Sequence, residues 1–219
     1  MANELSNITQ LIKAQLFPLR KILVFILGAL CFLVTQVFTR VPLLGWLQGN
    51  PDFMLLAMSY QLLSGVLVAF TAGLFEESGR FIIKALALKP IRTGISEPVI
   101  FGLGHGLCEA VWIFITYWGS ISIIQPSQLI LPVLERSFAI TIHVGFSVMI
   151  WNGFQLDQRL RYLLMAIVTH GLVDALIPLA GTLGLGALGL EAIVAGIAGL
   201  LVIYIFYSRR YYKEEVFNE

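Results

Sequence analysis

Leu74-Phe75-Glu76-Glu77-Ser78-Gly79-Arg80-Phe81-Ile82, LFEESGRFI, sets two adjacent carboxylates and an arginine into sequence that is apolar for tens of residues on either side. The run around it, Asp52 to Lys89, holds 38 residues without a proline. As one helix it would be about 57 Å long at 1.5 Å per residue, more than the ~30 Å hydrocarbon core of a bilayer. Such a helix either projects from the membrane or breaks. Ser78-Gly79 is the expected break or close packing contact.

Working outward, further apolar runs cover Ile22 to Phe38, Met54 to Phe75, Pro98 to Trp118, Leu129 to Phe154, Tyr162 to Leu179 and Leu183 to Tyr207. Most approach the ~20 residues that span a bilayer as a helix. Only 12% of the 219 residues are charged and 58% are hydrophobic, against roughly 25% charged in a soluble domain. The chain therefore reads as an all-α polytopic membrane bundle of about six spans. Turn compositions at Gly49-Asn50-Pro51-Asp52, Lys89-Pro90, Glu97-Pro98, Gln125-Pro126-Ser127 and Gly181 to Gly186 separate helices, not domains. Residues 1–219 form one expected domain, with a motif-bearing core at about 54–180. No small-residue cleavage site follows the first run, so it reads as a retained helix.

Lys and Arg accumulate in cytoplasmic loops. With the N-terminus inside, cytoplasmic segments collect Lys13, Arg20, Lys21, Lys84, Lys89, Arg92, Arg159, Arg161, Arg209, Arg210 and Lys213, and the outer loops hold only Arg40. Both termini are thus expected in the cytoplasm. A net charge of +1 leaves no basic patch suited to nucleic acid. Cys31 and Cys108 fall within spans and show no disulfide or metal spacing.

All three histidines, His105, His143 and His170, lie inside spans, as do Glu76, Glu77, Glu109, Glu135 and Asp174. A charged group at the bilayer centre costs roughly 3 kcal/mol even on lenient scales, so such residues usually face the bundle interior. Counting depth from the cytoplasmic ends places Glu77 and His105 at about 10 Å, His170 at about 13 Å and His143 at about 16 Å. Four helices so deliver an ionisable group to one layer in the cytoplasmic half. Glu109 and Asp174 lie at i+4 from His105 and His170, on the same helix faces, where a carboxylate could orient an imidazole. Gly102, Gly104, Gly106, Gly145 and Gly171 flank the histidines and allow close helix approach.

Plainer readings exist for each feature. Glu76 and Arg80 could be an interfacial i,i+4 ion pair, although adjacent glutamates point about 100° apart and one arginine would not account for both. A single histidine in a bundle is more often an interhelical hydrogen bond than a catalyst. Glu135-Arg136 reads as an ion pair near the outer surface and Glu191 as interfacial. Trp46, Trp112, Tyr117 and Trp118 read as belt or packing aromatics.

A carboxylate with several imidazoles in a membrane cavity can activate water, so hydrolysis is the natural reaction class. No H-E-x-x-H helix or G-x-S-x-G elbow is present. Transport is the competing class, because Glu, Asp and His chains also relay protons or cations. A polar layer confined to one half of the bilayer, without internal repeats, does not describe a through-path.

Glu76-Glu77 with Arg80, then Phe101-Gly102-Leu103-Gly104-His105, then His170 with Asp174, resemble the motifs of the CPBP clan of intramembrane proteases, and within it the YhfC family of membrane peptidases. The wider clan has three residues between the glutamate pair and the arginine; Ser78-Gly79 alone stand here, the form of the YhfC branch. The helix from Glu135-Arg136 to His143 also resembles that branch. The resemblance implies a multi-pass protease of a bacterial-type plasma membrane that cleaves a peptide or membrane-protein substrate. It implies Glu76 as base with Glu77 assisting, His105 and His170 binding metal or the oxyanion, and Asp174 orienting His170. Arg80, Glu109 and Glu135 would support them, and His143 joins this set on its depth alone. A divalent metal such as zinc, on His105, His143 and His170, and a metal-free glutamate-activated water both remain open. The cavity is expected to open toward the cytoplasm.

Overall fold

The computed structural model describes residues 18–89, 93–121 and 125–212. Lys13, Arg92 and Lys213 of the charge argument, and Pro90 of the turn after Lys89, lie outside the described residues. Among the described residues there is no strand. Helix α1 spans Pro18–Gln48 and contains a π-helical stretch, Leu33–Arg40. Asn50 caps the short helix α2, Pro51–Ser59, by accepting from the backbone N–H groups of Asp52 (2.9 Å) and Phe53 (3.1 Å). Helix α3 is Gln61–Leu86, α4 Ser96–Thr116, α5 Ile130–Gln155, α6 Arg159–Thr182 and α7 Ala187–Ser208.

Five of these helices are long and apolar enough to cross a membrane, and there are six if the bent pair α2 and α3 counts as one broken span. The break in the long second run differs from expectation. It falls at Tyr60 (φ −130°, ψ 56°), where α2 turns by 114° from α3. Ser78-Gly79 stays inside continuous helix. Gly79 instead provides the close contact: a Cβ there would stand 2.3 Å from Thr35 Cγ2 and 3.2 Å from Cys31 Sγ on α1. The 26 residues of α3 span about 39 Å, enough to cross with some tilt.

Helix α5 is the pillar of the bundle, packed against α4, α6 and α7, while α3 lies along α6. Every residue from Ile142 to Gln155 is buried, so this half of α5 is enclosed on all sides. Leu67, Ile82, Leu164, Leu172 and Ile203 are exposed on the outer faces, as lipid contact demands. The ends of the described chain meet on one side of the bundle. There Arg20 and Lys84 both bind Glu97 (2.6 and 2.7 Å), Trp151 Nε1 donates to the same carboxylate (2.9 Å), and Asn152 donates to Ser208 (2.8 Å).

Glycines set the helix separations. A Cβ on Gly28 would stand 2.1 Å from the carbonyl oxygen of Phe101, and one on Gly104 equally near that of Phe25, so α1 and α4 touch backbone to backbone. Gly102 meets Val144, Gly106 meets Ile140, Gly145 meets Leu201 and Gly171 meets the Phe70 ring, each near enough that a side chain would collide. We predict that Gly104→Ala destabilises the protein by about 1–3 kcal/mol, the usual scale of overpacking. Gly196→Ala, with nothing within 4 Å, should not. Thermal unfolding in detergent compares the two, and equal melting temperatures would refute the contact.

Candidate active site

Adjacent positions on α3 aim Glu76 and Glu77 into the bundle, with Arg80 one turn on; all three are buried. Arg80 donates to Glu77 Oε1 through one terminal nitrogen, while the other lies 3.3 Å from Glu76 Oε2 and 2.8 Å from His143 Nδ1. One arginine therefore does reach both glutamates, contrary to the expectation from their 100° offset. Residues three and four before an arginine both neighbour it on a helix, and its fork spans the gap.

A guanidinium only donates, so Nδ1 of His143 is the acceptor and the ring proton sits on Nε2. That nitrogen faces Glu109 Oε2 at 2.5 Å. Glu109 thus meets His143 across the interface of α4 and α5, not His105 one turn away on its own helix. His105 Nε2 instead lies 2.8 Å from Glu76 Oε2, and His170 Nδ1 lies 2.7 Å from Glu77 Oε1. Asp174 is 3.7 Å from His170 Nε2. The rings of His105 and His143 are 4.8 Å apart and those of His143 and His170 5.8 Å. The structure thus brings Glu76, Glu77, Arg80, His105, His143 and His170 together, with Glu109 and Asp174 at the margin.

The two glutamates are not equivalent. Glu76 lines a cavity of about 580 Å³, together with His143, His170, Glu109 and Asp174. Glu77 and His105 do not line it and are fully enclosed behind this surface. Glu135 binds Arg136 on the cavity wall, and Arg136 also holds Glu109 at 2.9 Å. Two residues read as peripheral, Trp112 and Glu191, also line the cavity.

The cavity runs toward the Glu135, Ile177 and Glu191 end of the bundle. The end holding Arg20, Lys84 and Glu97 is closed by Phe101, Trp151 and Phe154, with 3% exposure or less. The cavity thus lies toward the end opposite the lysine- and arginine-rich one, where the aromatic core fills the space.

Sequence reasoning missed Gln36. It donates to Glu76 Oε1 and accepts from Arg40 at 3.0 Å, and Arg40 is itself held by Thr71 Oγ1 (2.8 Å) and the Val68 carbonyl (2.9 Å). Arg40, assigned to an outer loop, thus sits within α1 on the cavity wall. A glutamine inside an apolar span was the available signal. Phe146, stacked on His170 at 4.8 Å and 16°, had none, because a phenylalanine in a membrane helix is unremarkable.

Glu76, His105 and His143 offer ligand atoms all within 4.8 Å of one another. One carboxylate and two imidazoles suit a divalent ion such as zinc, with a position left over for water. His170, expected in the metal set, is outside this group, and its Nδ1 lies against Glu77. Arg80 occupies the His143 lone pair, so ion binding through Nδ1 and this Arg80 contact are mutually exclusive.

A family described as YhfC intramembrane metalloprotease matches residues 15–125 and 120–198. The uncharacterized membrane protein YhfC of Bacillus subtilis (strain 168) is 30% identical over 227 residues, 87% of this chain and 86% of the relative.

Arg80→Leu is expected to leave two buried carboxylates without their counter-charge and to cost about 3–5 kcal/mol. Leucine at Arg80 and at Glu77 together should recover part of that loss. Chemical or thermal unfolding in detergent measures both, and a single variant as stable as the parent would contradict the role given to Arg80.

Proposed function

The chain belongs to the YhfC intramembrane metalloprotease family, and we propose that it is itself an intramembrane endopeptidase whose water is activated at Glu76. One observation carries this reading: Glu76 is the glutamate of the pair that reaches the cavity, flanked there by His143 and His170. Hydrolysis needs a base for water, a donor for the oxygen of the tetrahedral intermediate, and a pocket for the chain.

Glu76 would take the proton from water and later return it to the leaving amine. Gln36, His105 and Arg80 hold its two oxygens in place, so the carboxylate is oriented before substrate arrives. His170, fixed by Glu77 through Nδ1–H and by stacking on Phe146, would act as an imidazolium whose Nε2–H donates to the developing oxyanion, with Asp174 close enough to steady it. Glu77 then acts by holding His170 and Arg80.

The Glu76, His105 and His143 group supports a second form of the same reading, in which these residues hold a divalent metal. Such an ion would polarise the scissile carbonyl and acidify water. Against transport stands the packing: Phe101 and Trp151 rings 5.0 Å apart close the far end, and Arg80, which keeps its proton, interrupts any relay toward Lys84.

Purified protein incubated with a candidate membrane substrate tests this. Glu76→Gln should abolish cleavage while leaving a folded, monodisperse protein in the membrane; retained cleavage would sink the assignment. Metal analysis separates the two forms. The metal form expects about one ion per chain, lost in His143→Ala together with activity. The metal-free form expects full activity after chelation.

A further inference from the structure

Resting on the protease reading, we infer that the catalytic cavity takes its substrate from the outer, non-cytoplasmic face, as an apolar segment of a membrane-anchored peptide. Three observations lead there. The cavity wall reaches Ile113 on α4, Glu135 on α5, Ile177 on α6 and Leu190 on α7. Each lies within five residues of its helix end, at Thr116, Ile130, Thr182 and Ala187, so the space runs from the Glu76 layer to within about 8 Å of one end of the bundle.

The opposite end offers no entrance among the described residues. Below the Glu76 layer come Phe101, Trp151, Phe154 and the fully buried Lys84, the last held by Glu97. A peptide coming from that side would have to displace this core and strip Glu97 of the partners it holds, Arg20, Lys84 and Trp151.

Charge then assigns the ends. Arg20, Lys21, Lys84, Lys89, Arg159, Arg161, Arg209 and Arg210 lie at or near the closed end, against Arg40 and Arg136 at the open one. Those two are already committed, Arg40 to Gln36, Thr71 and Val68, and Arg136 to Glu109 and Glu135. Positive residues are retained on the cytoplasmic side during insertion, so the closed end is cytoplasmic and the cavity faces out. Its wall is mostly aliphatic and aromatic, with Trp112, Ile142, Val173 and Val194 between the charged groups. Water, and an unwound apolar stretch held by its flanking anchor, fit such a space.

Cysteine accessibility in intact cells tests the side directly, with a membrane-impermeant charged maleimide and the unsubstituted chain as the background for Cys31 and Cys108. Ala139→Cys, a small change on the cavity wall, and Glu191→Cys, at its mouth, should be labelled in intact cells as fully as in permeabilised ones. Arg210→Cys should be labelled only after permeabilisation. Labelling of the cavity positions only after permeabilisation would overturn the inference, and so would no labelling of them in folded, monodisperse protein under either condition. The readout needs no cleavage, so an inactive protein with outward-facing labels would count against the protease reading alone.

Discussion

The arrangement depends on a guanidinium taken out of water. Arg80 is fully buried and held against Glu76, Glu77 and His143. Stripping such a group of its hydration costs several kcal/mol, repaid only where geometry satisfies its donors. That requirement draws α3 and α5 together and specifies the tautomer of His143. It also separates the glutamates: Glu77 is consumed by the pairing and by His170, and Glu76 is left at the cavity surface.

Around this centre the bundle is asymmetric. Toward one end, polar groups close on themselves through Glu97, Lys84, Trp151 and Arg20, and the aromatic core fills the remaining space. Toward the other lies a cavity whose wall carries Arg40, Arg136, Asp174 and Glu191. The π-helical stretch of α1 belongs to this design, because it contains both Gln36, which reaches Glu76, and Arg40, which holds Gln36. Irregular helical turns of this kind recur at functional sites, where they re-aim one or two side chains without ending the helix.

Much of this was legible before any coordinates. The bilayer fixes a length scale, and a helix advances 1.5 Å per residue, so depth counts alone place Glu77, His105, His143 and His170 in one layer. The flanking glycines likewise foretold backbone contact, as at Gly104 on Phe25. What depth cannot supply is azimuth. It says how far along a helix a group sits but not which neighbour it faces, so the i+4 spacing points Glu109 to His105 on its own helix while its partner is His143 on another.

The sequence by itself determined an all-helical, multi-pass membrane protein with a buried layer of carboxylates and imidazoles, because hydropathy, helix rise and the expense of charge in lipid are properties of single segments. Only the tertiary structure decided that Glu76 faces the cavity while Glu77 does not, that Gln36 joins the site, that the second run breaks at Tyr60, and at which end the cavity lies. Those features arise from how six helices rotate and pack against one another. Rotation is set by contacts between residues far apart in the chain, such as Arg80 with His143, which no local pattern encodes.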